Sequence, residues 1–144
     1  VKDKIMKHRN ALTIILVVAV MLVAMTSVAF AETKTVTISQ GAGAVTSPWT
    51  TTTTTDVVYS AENTGISGNS GFYAKAISSS SKNTNGSGVP SGGTTRRTSN
   101  MDVGGTPVTN ITANSGQSNH YWRLCLDPYY FQKNAIGNGS ITTN

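Results

Sequence analysis

Apolar residues run together in the first thirty positions of this chain and are spread out at intervals after that. Ala11 to about Met25 is an almost continuous apolar stretch. Lys2, Lys4, Lys7 and Arg9 precede it, and it closes on small residues ending Ala29-Phe30-Ala31. A basic start, an apolar middle and small residues at −3 and −1 are the order of a secretory signal peptide. The pattern predicts a cleaved N-terminal signal helix over 1–31. The peptidase would read Ala29 and Ala31, and Glu32 would begin a mature chain of 113 residues. A retained transmembrane helix is the competing reading, since about 20 residues can span a bilayer of roughly 30 Å. Against it, the run thins into Thr26-Ser27, and Lys34 is the only nearby cation where a stop-transfer cluster would stand. The expectation is a secreted protein with no stable membrane anchor after cleavage. A start at Val1 would use a bacterial GUG codon, whereas a start at Met6 would leave residues 1–5 upstream.

Beyond residue 31 the dominant period is two. Lys34 to Ser39 alternates, with Val36 and Ile38 on one face and threonines on the other. Gly71 to Ser81 places Phe72, Ala74 and Ala76 opposite Tyr73, Lys75 and Ile77. His120 to Leu126 places Trp122, Leu124 and Leu126 opposite Tyr121, Arg123 and Cys125. Period two over such lengths marks β-strands. The last of these is apolar on both faces, as befits a central strand. Shorter strands are expected at Thr94–Asn100, at Thr106–Thr112 (with Val108 and Ile111 as its apolar marks) and in the tail after Asn134. The six threonines Thr50 to Thr55 lead into Asp56-Val57-Val58-Tyr59 and predict one long strand, because Thr is β-branched and stiff. In such a strand Thr51, Thr53 and Thr55 would form one rank. An ordered surface such as ice or crystalline polysaccharide would need several such ranks. Residues 78–93 read as a long polar Gly/Ser-rich loop. The whole predicts an all-β fold: a small antiparallel β-sandwich or barrel of about six to seven short strands, in a single domain over 32–144.

Composition narrows the partners. The formal net charge of +5 belongs mostly to the signal; the mature part has seven cations against five anions, a net +2. Nucleic-acid surfaces cluster Lys and Arg among aromatics. Here only Arg96-Arg97 are adjacent, in a glycine-rich setting that reads as a solvated turn, so no nucleic-acid partner is expected. Ser, Thr, Gly and Asn make up about half of the mature chain, while Leu, Ile, Val and Phe are only about 15% of it. Without high net charge this composition signals a thinly cored β-protein rather than disorder.

Few residues carry obvious chemistry. Cys125 is the single cysteine; between Leu124 and Leu126 it reads as a buried thiol, with an intermolecular bridge as the alternative. A zinc site needs three or four ligands. His120 and Cys125 lie five apart and point to opposite faces of a strand, which also argues against a Cys–His nucleophile pair. His120 reads as a surface or turn-end residue. No G-x-S-x-G elbow, phosphate loop, dinucleotide fingerprint or calcium loop is present. The expectation is no enzyme, no cofactor and no metal. Aromatics are numerous for so few aliphatics. Trp122 suits the core, and Trp49, Tyr129 and Tyr130 are the candidate ligand-binding residues, because rings can stack on sugar faces.

In style the chain resembles the small exported β-rich proteins of Gram-positive bacteria, bacteriocin-like ones among them. The likeness lies in the signal, the size and polar strands ending in aromatic runs such as Tyr121-Trp122, and it assigns no residue roles. The expected function is a secreted, non-enzymatic binder of carbohydrate or cell-envelope material. A bacteriocin-like antagonist and a self-associating extracellular structural subunit are the alternatives, with the oligomeric state left open.

Overall fold

The computed structural model describes residues 31–65, 71–82, 88, 93–98, 101–102, 105–116, 119–129 and 134–143. The expected signal helix, Ala29 and Tyr130 lie outside the described residues, as does most of the expected 78–93 loop. Residues Ala31–Asn144 form one compact unit. Its regular elements are β1 (Thr33–Ile38), β2 (Val45–Thr46), β3 (Asp56–Asn63), β4 (Phe72–Ser79), β5 (Thr95–Arg97), β6 (Val108–Asn114), β7 (Tyr121–Pro128) and β8 (Gly137–Thr143). No α-helix occurs among the described residues.

The strands form two four-stranded antiparallel sheets, ordered β1-β8-β3-β6 and β2-β7-β4-β5. Among the described residues eight strands stand where six or seven were expected, because the two-residue β2 carries no periodic signal of its own. β7 is central, between β2 and β4, as its two apolar faces predicted. Trp122, Leu124 and Leu126 of β7, Phe72, Ala74 and Ala76 of β4, Val57 and Tyr59 of β3, and Ile141 of β8 meet in one buried cluster between the sheets. Two inward positions on β8 are glycines, Gly137 and Gly139, where a side chain would meet closely packed neighbours. A Cβ on Gly137 would stand 2.4 Å from the Glu62 carbonyl oxygen, and one on Gly139 would stand 2.6 Å from Leu124 Cδ2.

Two expectations need correcting. The threonine run is not a strand: β3 begins only at Asp56, and the rank Thr51, Thr53, Thr55 does not form. The chain from Ser47 to Thr54 instead follows the edge of β7 with residues to spare. Ser47 N–H donates to Leu124 O, Thr50 N–H to Trp122 O, and Thr54 exchanges two bonds with His120. Pro48 and Trp49 therefore stand opposite Arg123 alone, and Thr51 to Thr53 opposite Tyr121 alone. These are bulges, where an extra residue is left out of the ladder. The second correction concerns the Arg96-Arg97 pair alone: the short strand expected at Thr94–Asn100 is present as β5, and both arginines lie in it, paired with Ala76 and Lys75, rather than in a turn.

At the bulges side-chain hydroxyls take over as main-chain acceptors. Leu124 N–H donates to Ser47 Oγ at 3.0 Å and Trp122 N–H to Thr50 Oγ1 at 3.0 Å. The same substitution occurs on the opposite edge of this sheet, where Ala74 N–H donates to Thr98 Oγ1 at 3.1 Å. In the other sheet Asn110 N–H donates to Ser60 Oγ at 3.0 Å. A buried N–H must find an acceptor or cost free energy. A Ser/Thr-rich chain can supply one wherever the ladder slips.

Candidate functional site

The two outer faces of the stack differ in chemistry. On the β1-β8-β3-β6 sheet, cross-strand register sets Thr33 beside Thr142, Thr35 beside Ser140 and Thr37 beside Asn138. That surface is short and polar, as a solvated antiparallel face should be. On the β2-β7-β4-β5 sheet, the outward positions of β7 are Tyr121, Arg123, Cys125 and Asp127, and those of β4 are Tyr73, Lys75, Ile77 and Ser79. Aromatic rings and cations pair along this face.

Trp49 is held by the first bulge. Ser47 and Thr50 clamp the main chain to Leu124 and Trp122, the two neighbours of Arg123, so Pro48-Trp49 is pushed out directly over Arg123. The Arg123 guanidinium lies 4.3 Å from the centroid of the Trp49 ring. Trp49 is half-buried, and Arg123 is only 4% exposed. Desolvation pulls the arginine's pKa below its usual value. The stack therefore uses a desolvated cation, the setting in which cation–π attraction is strongest.

A second aromatic group stands at the far end of the face. Tyr73 and Tyr129 meet edge to face with centroids 5.3 Å apart, and the Arg97 guanidinium lies 4.7 Å from the Tyr73 centroid. Tyr129 N–H donates to the Gly71 carbonyl, which fixes where the chain leaves β7. Between the two groups Lys75 pairs with Asp127. At the near end Lys82 lies 4.5 Å from the Tyr121 centroid. From Tyr121 to Asp127 the face runs about 20 Å at ~3.3 Å per residue. Trp49 and Tyr129 thus share one side of one sheet. Tyr73, Tyr121, Arg97 and Arg123 complete it. Sequence reading did not pick them as site residues, although the alternation of β4 and β7 already put Tyr73, Tyr121 and Arg123 opposite the core face.

The remaining chemistry-bearing residues lie elsewhere or are enclosed. His120 is 8% exposed rather than a surface residue. Its Nδ1 sits 3.1 Å from Ser78 Oγ, which also accepts from Thr94 N–H at 2.9 Å. Ser78 is fully buried, so this pair ties β4 and β7 together and presents no nucleophile to solvent. Cys125 is also fully buried. Burial, with Asp127 adding to it, pushes the thiol up to about 11 against the weaker opposing pull of Lys75 and Arg123. Glu32 sits where the second bulge turns. Its Oε2 accepts from Thr51 N–H at 2.6 Å, Thr51 Oγ1–H at 2.9 Å and Thr52 N–H at 3.4 Å, and its Oε1 lies 2.7 Å from Lys34 Nζ. Among the described residues no three His, Cys, Asp or Glu side chains gather closely enough to hold a metal.

No family model, no curated protein and no solved structure matches this chain. Function has to be read from the surface itself.

Proposed function

We propose that this is a secreted, non-enzymatic binding protein built as a β-sandwich, whose β2-β7-β4-β5 face engages carbohydrate or cell-envelope material. The observation that supports it is the Trp49–Arg123 stack. A half-buried indole is fixed in orientation by two main-chain clamps and a guanidinium. It shares its sheet face with the Tyr73–Tyr129 pair and with charged groups able to hydrogen-bond hydroxyls. Sugar recognition needs apolar rings that are held still and polar groups at their margins. A ring already stacked on Arg123 loses little conformational freedom when a ligand binds.

The test is binding of the purified protein to a glycan array and to isolated cell walls. Trp49→Ala should reduce retention by about tenfold or more, in line with the worth of an aromatic anchor. Unchanged retention in that variant would remove Trp49 from the site. Growth inhibition of neighbouring bacteria by the same preparation, without wall retention, would instead favour the antagonist reading.

A further inference from the structure

The β5–β6 side of the stack carries a second feature, beside the aromatic face and sharing Arg97 with it. β5 and β6 are the facing edge strands of the two sheets, but β5 has three residues and β6 has seven. The inward side of β6 therefore extends past the strand that should cover it. Val108 and Ile111 are three apart, so simple alternation would put them on opposite faces. Asn110 adopts a left-handed φ of 53° at the register shift opposite Tyr59 and Ala61, and this resets the alternation. Both residues consequently face the core side, Val108 against Ala61 and Ile111 against Tyr59, and both are left half-buried. With Met101 they line a cleft of about 530 Å³ that also reaches Arg96, Arg97 and Asp102. That volume lies within the range of small-molecule sites.

We infer that this cleft binds a small amphiphile with an acidic head, the apolar body lying on Met101, Val108 and Ile111 and the headgroup meeting the Arg96 guanidinium. Among the described residues the floor has no aromatic ring to stack on a sugar but three flexible or branched aliphatic surfaces, which suit an acyl chain. Arg96 is exposed on an edge strand, and its main chain is held by pairing with Ala76 of β4. Its planar donors match a carboxylate or phosphate in two-point geometry. Arg97 adds positive charge from the same strand while stacked on Tyr73. The Asp102 carboxylate at the rim offsets part of that charge, so a singly charged head is the better fit.

Dodecanoate below its micellar concentration is the probe, titrated calorimetrically into purified protein. Octaethylene glycol monododecyl ether carries the same tail with neither charge nor sugar, and acetate the charge without the tail. Dodecanoate should bind, and both controls should bind at least tenfold more weakly. Arg96→Gln should weaken dodecanoate by about tenfold or more, with an unchanged melting temperature because the side chain is exposed. Val108→Phe, which fills the cleft from its floor, should abolish binding. Trp49→Ala should leave it intact, which separates this site from the aromatic face. Absence of dodecanoate binding, equal binding of the uncharged ether, or full affinity in Arg96→Gln would overturn the assignment.

Discussion

Replacing Thr50 by Val tests whether hydroxyls hold the edge of β7. The two side chains have nearly the same shape, so packing around this fully buried residue is preserved. What is lost is chemical. Trp122 N–H no longer has Thr50 Oγ1 as acceptor, and the hydroxyl's own bond to Thr52 O, 2.9 Å long, disappears. Leaving a buried donor unsatisfied costs about 1–3 kcal/mol. The methyl that replaces the hydroxyl returns at most about 0.8 kcal/mol through burial. The net expectation is a loss of about 1–2 kcal/mol. At ~4 °C per kcal/mol for a domain of this size, melting should fall by about 4–8 °C. Thr53→Val, an exposed position in the same run, should stay within about 0.5 kcal/mol of the parent. Both variants are measured by thermal and urea unfolding followed by circular dichroism. If Thr50→Val melts with Thr53→Val, the hydroxyl is not serving as a ladder acceptor and the clamp that positions Trp49 loses its basis.

Three further outcomes follow from the same geometry. Burial alone would raise the Glu32 pKa, but hydrogen bonds from Lys34, Thr51 and Thr52 outweigh it and lower the carboxyl from 4.5 to about 2. A depressed folded-state pKa stabilises above the unfolded value and is lost as pH falls through the folded one. Stability should therefore decline between about pH 5 and pH 2, and Glu32→Gln should flatten that part of the profile; parallel profiles for the two proteins would contradict the assignment. Cys125, raised to about 11 and fully buried, should resist iodoacetamide at pH 8 in the native protein and react after unfolding, since the thiolate is the nucleophile. Labelling of the folded protein at the rate of a free peptide thiol would show that the outer face of β7 opens. Gly137→Ala places a Cβ against the Glu62 carbonyl and 2.7 Å from two ring carbons of buried Phe72. The backbone atom cannot step aside, so denaturant unfolding should show a loss of at least about 1–3 kcal/mol. A variant as stable as the parent would mean that Gly137 is not enclosed this tightly by Glu62 and Phe72.

Much of the fold is legible in local pattern. Period-two alternation in residues 34–39, 72–77 and 121–126 placed three strands and sorted their side chains into two faces, because the pleat makes every second side chain share a face. It also put Trp122 in the core and Cys125 opposite His120. Pattern failed where the ladder is irregular. Six threonines have strong β preference, yet they form bulges, since β7 offers fewer partners than the run has residues. The inward orientation of both Val108 and Ile111 depends on one left-handed residue, which no periodicity announces.

The sequence by itself determined that the chain after residue 31 is a β-protein with a thin core and a surplus of hydroxyls and rings. That follows from composition and from intrinsic chain geometry. Only the tertiary structure decided which hydroxyls became ladder acceptors, which rings share a face and where the edge of the stack stays open. Those outcomes depend on register between distant strands and on unequal strand lengths. Trp49 sits over Arg123 because Ser47 and Thr50, over 70 residues away in sequence from the β7 amides they bond, were brought to the one edge where their oxygens were needed.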